Sequence, residues 1–188
     1  MTEQRVVTWA VTGSGGYETA WIDLSATGLR ATGRVVGLKP EPYWLAYELE
    51  TGHGHVTRRL QVTAETLTGR NRLDLRRDGG EWSIGGRPLP EVVGALDCDL
   101  GMSPLTNTMP TLRHQLQTTP GEREFLMAWV SVPDLTVRPS RQTYTHVGLT
   151  ERGARVRYAS GDFTSDIEFG RDGLVLTYPG VGHLLRAD

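Results

Sequence analysis

Six side chains have types and spacings that could do chemistry: Glu18, Arg58, Asp97, Asp99, Asn107 and Arg113. Glu18 shares its strand phase with Ala20, Ile22 and Leu24, and Arg58 falls among Val56, Leu60 and Val62. A charge in an apolar phase needs a partner or an exit to water, because an unpaired buried charge is too costly to keep. Asp97 and Asp99 flank Cys98, so on a strand both would point to one face. Two carboxylates held close split their pKa values and suit acid and base roles, and glycoside hydrolysis uses such a pair. No third group to orient them is visible, and no catalytic residue is assigned. The stronger reading pairs Glu18 or Asp99 with Arg58 or Arg113 on the inner wall of the fold, with Asn107 beside them. Such a set would either fix the register of sheet against helix or contact a ligand; the first reading is favoured and the second is its alternative.

Other chemistries find less support. His53-Gly54-His55 offers two imidazoles in a Gly-flanked turn with no third ligand in view, so an exposed turn is expected and neither metal nor cofactor is assigned. Gly13-Ser14-Gly15-Gly16 lacks the GxxxxGK[ST] pattern and a following helix, which leaves a hairpin turn. Ser14, Ser103 and Thr106 lack the GxSxG context of a nucleophile elbow. The lone Cys98 rules out an internal disulfide and a cysteine-cluster zinc site, and its apolar flanks point to a buried, inert thiol. With 20 basic and 22 acidic residues and no Lys or Arg run, nucleic acid is not an expected partner. No apolar run approaches the ~18 residues of a transmembrane segment. Met1-Thr2-Glu3-Gln4-Arg5 lacks the apolar core of a secretory signal, so a cytoplasmic location is expected.

The elements that must position these residues are almost all strands. Val7, Trp9 and Val11 alternate with Thr8, Ala10 and Thr12, and similar two-residue periods recur along the chain, punctuated by Gly, Pro and Asp. About a dozen strands are predicted, with Pro139-Ser140 interrupting the one that begins near Leu135. The exception lies near the middle. Ser103 is a plausible N-cap with Pro104 at the first helical position, and Pro110 either stops the helix near Met109 or kinks it on the way to about Gln115. These features predict a mainly β, antiparallel, many-stranded sheet rolled around a single central helix, in one domain spanning 1–188.

A resemblance joins these observations. The blocks Gly16-Tyr17-Glu18, Tyr47-Glu48-Leu49, Thr57-Arg58-Arg59-Leu60, Asp97-Cys98-Asp99-Leu100, Ser103-Pro104-Leu105-Thr106-Asn107-Thr108-Met109-Pro110, Gln142-Thr143-Tyr144 and Tyr178-Pro179-Gly180 resemble the bacterial glycolipid-binding family of spiral β-roll proteins. The departures are Leu105 and Thr111-Leu112-Arg113-His114, where the family commonly has Phe and two arginines, and Gly54-His55-Val56 in place of an indole before Thr57. The resemblance implies a spiral β-roll around one helix, often a homodimer, with a surface cleft that holds a glycolipid or other amphiphile without catalysis. It also adds Tyr144 to the candidate residues. Trp9, Trp21, Trp44, Trp82 and Trp129 are candidate ligand surfaces, although core packing is the better expectation for any one of them. The alternatives are a structural or regulatory interaction protein with a filled core and, third, a carboxylate-dependent hydrolase acting on a glycoconjugate.

Overall fold

The computed structural model describes residues 2–188. The first half is a run of antiparallel strands: β1 (Thr2–Val11), β2 (Gly16–Ser25), β3 (Leu29–Gly37), β4 (Tyr43–Thr51), β5 (Thr57–Thr66), β6 (Gly69–Asp78), β7 (Glu81–Ile84) and β8 (Arg87–Pro88). After β9 (Asp97–Leu100) come a 3-10 turn, Pro104–Asn107, and the helix α1 (Thr108–Arg113). The second half is another run: β10 (Glu122–Val130), β11 (Val137–Leu149), β12 (Gly153–Ser160), β13 (Phe163–Gly170), β14 (Val175–Tyr178) and β15 (Gly182–Ala187). All belong to one 15-stranded sheet in the order β8-β7-β6-β5-β4-β3-β2-β1-β15-β14-β13-β12-β11-β10-β9. Pairing is antiparallel throughout except between β9 and β10.

This order forces the sheet to roll. The strands at its two ends, β8 and β9, are consecutive in the chain and joined only by residues 89–96. That connection reaches at most about 30 Å when extended, whereas fifteen flat strands would span about 65 Å. The edges must therefore approach each other. Backbone N–H of Thr57 donates to the Leu96 carbonyl at 3.0 Å, and the Cys98 N–H donates to Thr57 Oγ1 at 3.1 Å, tying the start of β9 to β5. Trp82 Nε1 and Arg77 Nε both donate to the Ala95 carbonyl, at 2.9 and 3.0 Å, and hold the crossing segment down. At the opposite seam β1 pairs with β15, and Trp9 Nε1 donates to the Val175 carbonyl at 2.7 Å.

The alternating patterns put one face of each strand inside. In β2 the buried phase is Glu18, Ala20, Ile22 and Leu24; facing residues include Leu29, Ala31 and Val35 of β3 and Leu45, Tyr47 and Leu49 of β4. The helical stretch lies inside the roll: Leu105 and Met109 are fully buried, together with Thr108 and Thr111. Its limits differ from the sequence expectation. Ser103 makes no side-chain cap, the chain runs first as a 3-10 turn, and the α-helix continues through Pro110 to Arg113. Pro110 sits in the first α-helical turn, where its missing N–H would have had no intrahelical partner. β11 likewise runs unbroken through Pro139, which pairs with Ala128 of β10 in a part of the strand that β12 does not reach.

Gly33 shows how the sheet makes room. It faces Tyr47 across the β3–β4 pair, and a Cβ there would lie 2.1 Å from the Tyr47 ring, which is buried against it. Gly33→Ala is expected to displace that ring and destabilise the fold by about 1–3 kcal/mol in urea unfolding. Gly148→Ala, where a Cβ meets nothing within 4 Å, is the matched substitution that should change little.

Candidate functional site

Six of the seven sequence-predicted residues come together where β9, the helical stretch and β11 meet β2; Arg58 does not. Asp97 takes a two-pronged contact from Arg113, with Nη1 donating to Oδ1 at 2.9 Å and Nη2 to Oδ2. Asp97 is 1% exposed and the Arg113 side chain 11%. The fork geometry lets one planar cation neutralise a carboxylate that water cannot reach. Burial pushes the Asp97 carboxyl up, and Arg113 opposes that push. Arg113 also lies over the Phe125 ring, 6.0 Å from its centroid.

Glu18 is held without a cation. Its Oε1 accepts from Tyr47 Oη at 2.5 Å and from Ser103 Oγ at 2.7 Å, while Oε2 has no hydrogen-bond partner. Full burial raises its pKa to about 7, against the pull of Tyr47, Ser103 and the Leu105 backbone. Ser103, read from sequence as a helix cap, thus spends its hydroxyl on Glu18 and fastens the helical stretch to β2.

Asp99 heads a third arrangement. Its Oδ1 accepts from Thr106 Oγ1 at 2.9 Å and its Oδ2 from Gln142 Nε2 at 2.6 Å. Tyr144 Oη donates to Gln142 Oε1 at 3.3 Å and accepts from Asn107 Nδ2 at 2.8 Å. Asn107 in turn receives Thr111 Oγ1 on its carbonyl at 2.9 Å. The Asp99 carboxyl is pushed up by burial, opposed by Gln142 and Thr106. Gln142, Thr106, Ser103 and Tyr47 were not among the predicted residues. Gln142 could have been found, since it alternates with Tyr144 and must share its face.

Arg58 is the correction. A bulge in the β4–β5 pair matches Glu50 with Arg59 and Thr51 with Thr57, leaving Arg58 as the extra residue. The bulge shifts the phase, so Thr57 is buried and Arg58 is exposed. The expected pairings of Glu18 or Asp99 with an arginine are also replaced by Asp97–Arg113 and by neutral donors. The His53–His55 turn departs from expectation as well: His55 is buried, with Nε2 3.2 Å from the Ser25 carbonyl, and burial lowers its pKa. Cys98 is buried and its thiol is pushed up to about 12 by burial.

A cavity of about 230 Å3 opens on the Asp99 arrangement, lined by Asp99, Ser103, Asn107, Trp129, Tyr158, Phe163 and Tyr178 among others. Three of its rings touch one another: Tyr158 and Phe163 centroids lie 5.9 Å apart, and Tyr158 and Tyr178 5.8 Å. Asp97 does not line this cavity, so the two aspartates do not face one substrate as an acid–base pair would. A larger groove of about 700 Å3 crosses β1 to β5. Several of its charges pair across strands, as in Arg30–Glu50 at 2.9 Å, whereas the smaller cavity is where polar side chains and aromatic rings converge. Of the tryptophans, Trp9 and Trp82 are core, Trp21 and Trp44 are largely exposed, and only Trp129 lines the cavity.

The fold and this site define a rolled, mainly β protein built around a short helix. The model of the family described as "Putative glycolipid-binding" matches residues 6–183, and the chain belongs to that family. A crystal structure of a DUF1089 family protein from Pseudomonas aeruginosa is similar, with 29% identity, a TM-score of 0.74 and coverage of 89% of this chain and 92% of that one. A β-barrel-like protein of domain of unknown function DUF1849 from Brucella abortus shares the fold at 12% identity and a TM-score of 0.52, covering 98% of this chain and 97% of that one. No curated protein matches the chain. No described helix is long and apolar enough to cross a membrane.

Two outcomes test this arrangement. Arg113→Met leaves Asp97 buried and unpaired, and is expected to cost about 3–5 kcal/mol in chemical denaturation; adding Asp97→Asn should recover part of that loss. For Glu18 the folded pKa lies above the unfolded one, so its contribution is fully present below about pH 4.5 and is lost as pH rises through about 7. Glu18→Gln should therefore gain on the parent protein as pH rises across that window, by on the order of 3 kcal/mol, and a pH-independent difference would contradict the assignment.

Proposed function

We propose that the protein binds, without catalysis, the polar head of a glycolipid or related amphiphile in the cavity beside Asp99. The supporting observation is that this one cavity joins aromatic rings to polar side chains, Asp99, Ser103 and Asn107. Rings of this kind stack on the apolar faces of sugars, and a few placed polar groups fix orientation. At about 230 Å3 the cavity falls below the ~300–1,000 Å3 that encloses a drug-sized ligand, so only a head group enters and the tail stays outside. Inside the roll the helical stretch is packed, with Leu105 and Met109 fully buried.

That filled interior also favours the second reading, an interaction protein whose polar network is scaffold alone. A titration separates the two. Trp129 is the indole in the cavity, so a long-chain glycolipid should change tryptophan emission saturably in the parent protein and in Trp21→Phe, and not in Trp129→Phe. No saturable change, together with no lipid retained in native mass spectrometry, would reject binding and leave the interaction protein.

A further inference from the structure

We propose, building on the cavity reading above, that the head group taken beside Asp99 carries a positive charge: an ammonium, as on an amino sugar or a quaternary amine. The fully buried Glu18 and Asp97 and the half-buried Asp99 differ in how they are balanced. Asp97 has the Arg113 fork. Glu18 is closed off behind Tyr47 and Ser103 and does not line the cavity. Asp99 alone both lines the cavity and lacks a countercharge: its oxygens accept only from the neutral Thr106 and Gln142, and its charged neighbour, Asp97, has the same sign. No Lys, Arg or His stands among the residues lining this space.

The walls favour the same ligand class. Trp129, Tyr158, Phe163 and Tyr178 surround the cavity, and the negative faces of such rings attract a cation within about 6 Å of a centroid. A carboxylate with aromatic walls is the arrangement that binds ammonium groups, because the rings replace part of the cation's hydration while the carboxylate supplies the charge. A phosphate or carboxylate head would meet only repulsion there, with no basic residue to receive it. The carboxylate that is costly to bury alone becomes half of an ion pair when the cavity fills.

Four probes test this by calorimetry and Trp129 emission, each below its micelle concentration: octyltrimethylammonium, octyl glucoside, octyl phosphate and tailless tetramethylammonium. Octyltrimethylammonium is expected to bind about tenfold more tightly than octyl glucoside, and octyl phosphate should not saturate. Asp99→Asn should weaken the ammonium probe about tenfold, a clearly larger factor than the loss it causes for the glucoside, which forfeits at most one hydrogen bond. Phe163 is 44% exposed, so Phe163→Leu keeps the fold and the apolar surface but removes a ring, and it should weaken the ammonium probe severalfold. Tetramethylammonium binding as tightly as its octyl relative would support the charge assignment and make a free ammonium compound the ligand rather than a lipid. Glucoside binding as tight as ammonium binding, or ammonium binding indifferent to Asp99→Asn in a folded variant, overturns the charge assignment and leaves the cavity reading standing. If no probe binds, both fall.

Discussion

The short crossing from β8 to β9 is the constraint on which the rest of the structure depends. Two strands consecutive in sequence occupy opposite ends of one sheet, and residues 89–96 are too few to join them unless the sheet curls until its ends meet. Trp82 and Arg77 clamp the crossing through the Ala95 carbonyl, and Thr57 receives the start of β9. The chain therefore enters the roll with β9 and its helical stretch, and strands surround them. Everything unusual about the site follows from delivering polar residues to that enclosed place.

Enclosure presents the same difficulty to three carboxyl groups, and the structure resolves it differently each time. Asp97 receives a permanent cation, Arg113, from the last turn of the helix. Glu18 receives two hydroxyl donors and is pushed toward its neutral form. Asp99 receives an amide and a hydroxyl and opens toward an aromatic cavity. The first two arrangements lock the helical stretch to the sheet, which is a structural role; the third keeps one face of a costly group available. That division places binding at the edge of a rigid scaffold, with Gln142, Tyr144 and Asn107 holding the Asp99 side chain in position.

Much of the fold was legible in the sequence, because two-residue alternation and turn chemistry are local signals. Glu18 reads as buried from Ala20 and Ile22 alone, and it is. Arg58 fails for an equally physical reason: a bulge inserts one residue opposite Thr51, and no periodicity rule detects it before the partner strand is known. The partners of the candidates were the least legible part. Ser103 looks like a helix cap on local grounds, but its hydroxyl is used on a strand far away in the chain. Gln142 could have been inferred from Tyr144, two residues along the same face, yet its link to Asp99 depends on the parallel pairing of β9 with β10. The family resemblance anticipated the roll and the motif positions, and the family match over residues 6–183 agrees with it.

Rolling isolates these carboxyls and leaves Asp99 to be balanced from outside. Site-resolved 13C carboxyl titration by NMR, with and without tetramethylammonium, addresses it directly. Around Asp99 the titratable groups are Asp97, Cys98, Tyr144, Tyr158 and Tyr178, none of them a cation. The Glu18 midpoint is expected near 7 and unmoved by the ligand, and the Asp99 midpoint above the usual carboxylate range, falling when ammonium occupies the cavity. A Glu18 midpoint in the ordinary carboxylate range, with an Asp99 midpoint indifferent to ammonium, would contradict it.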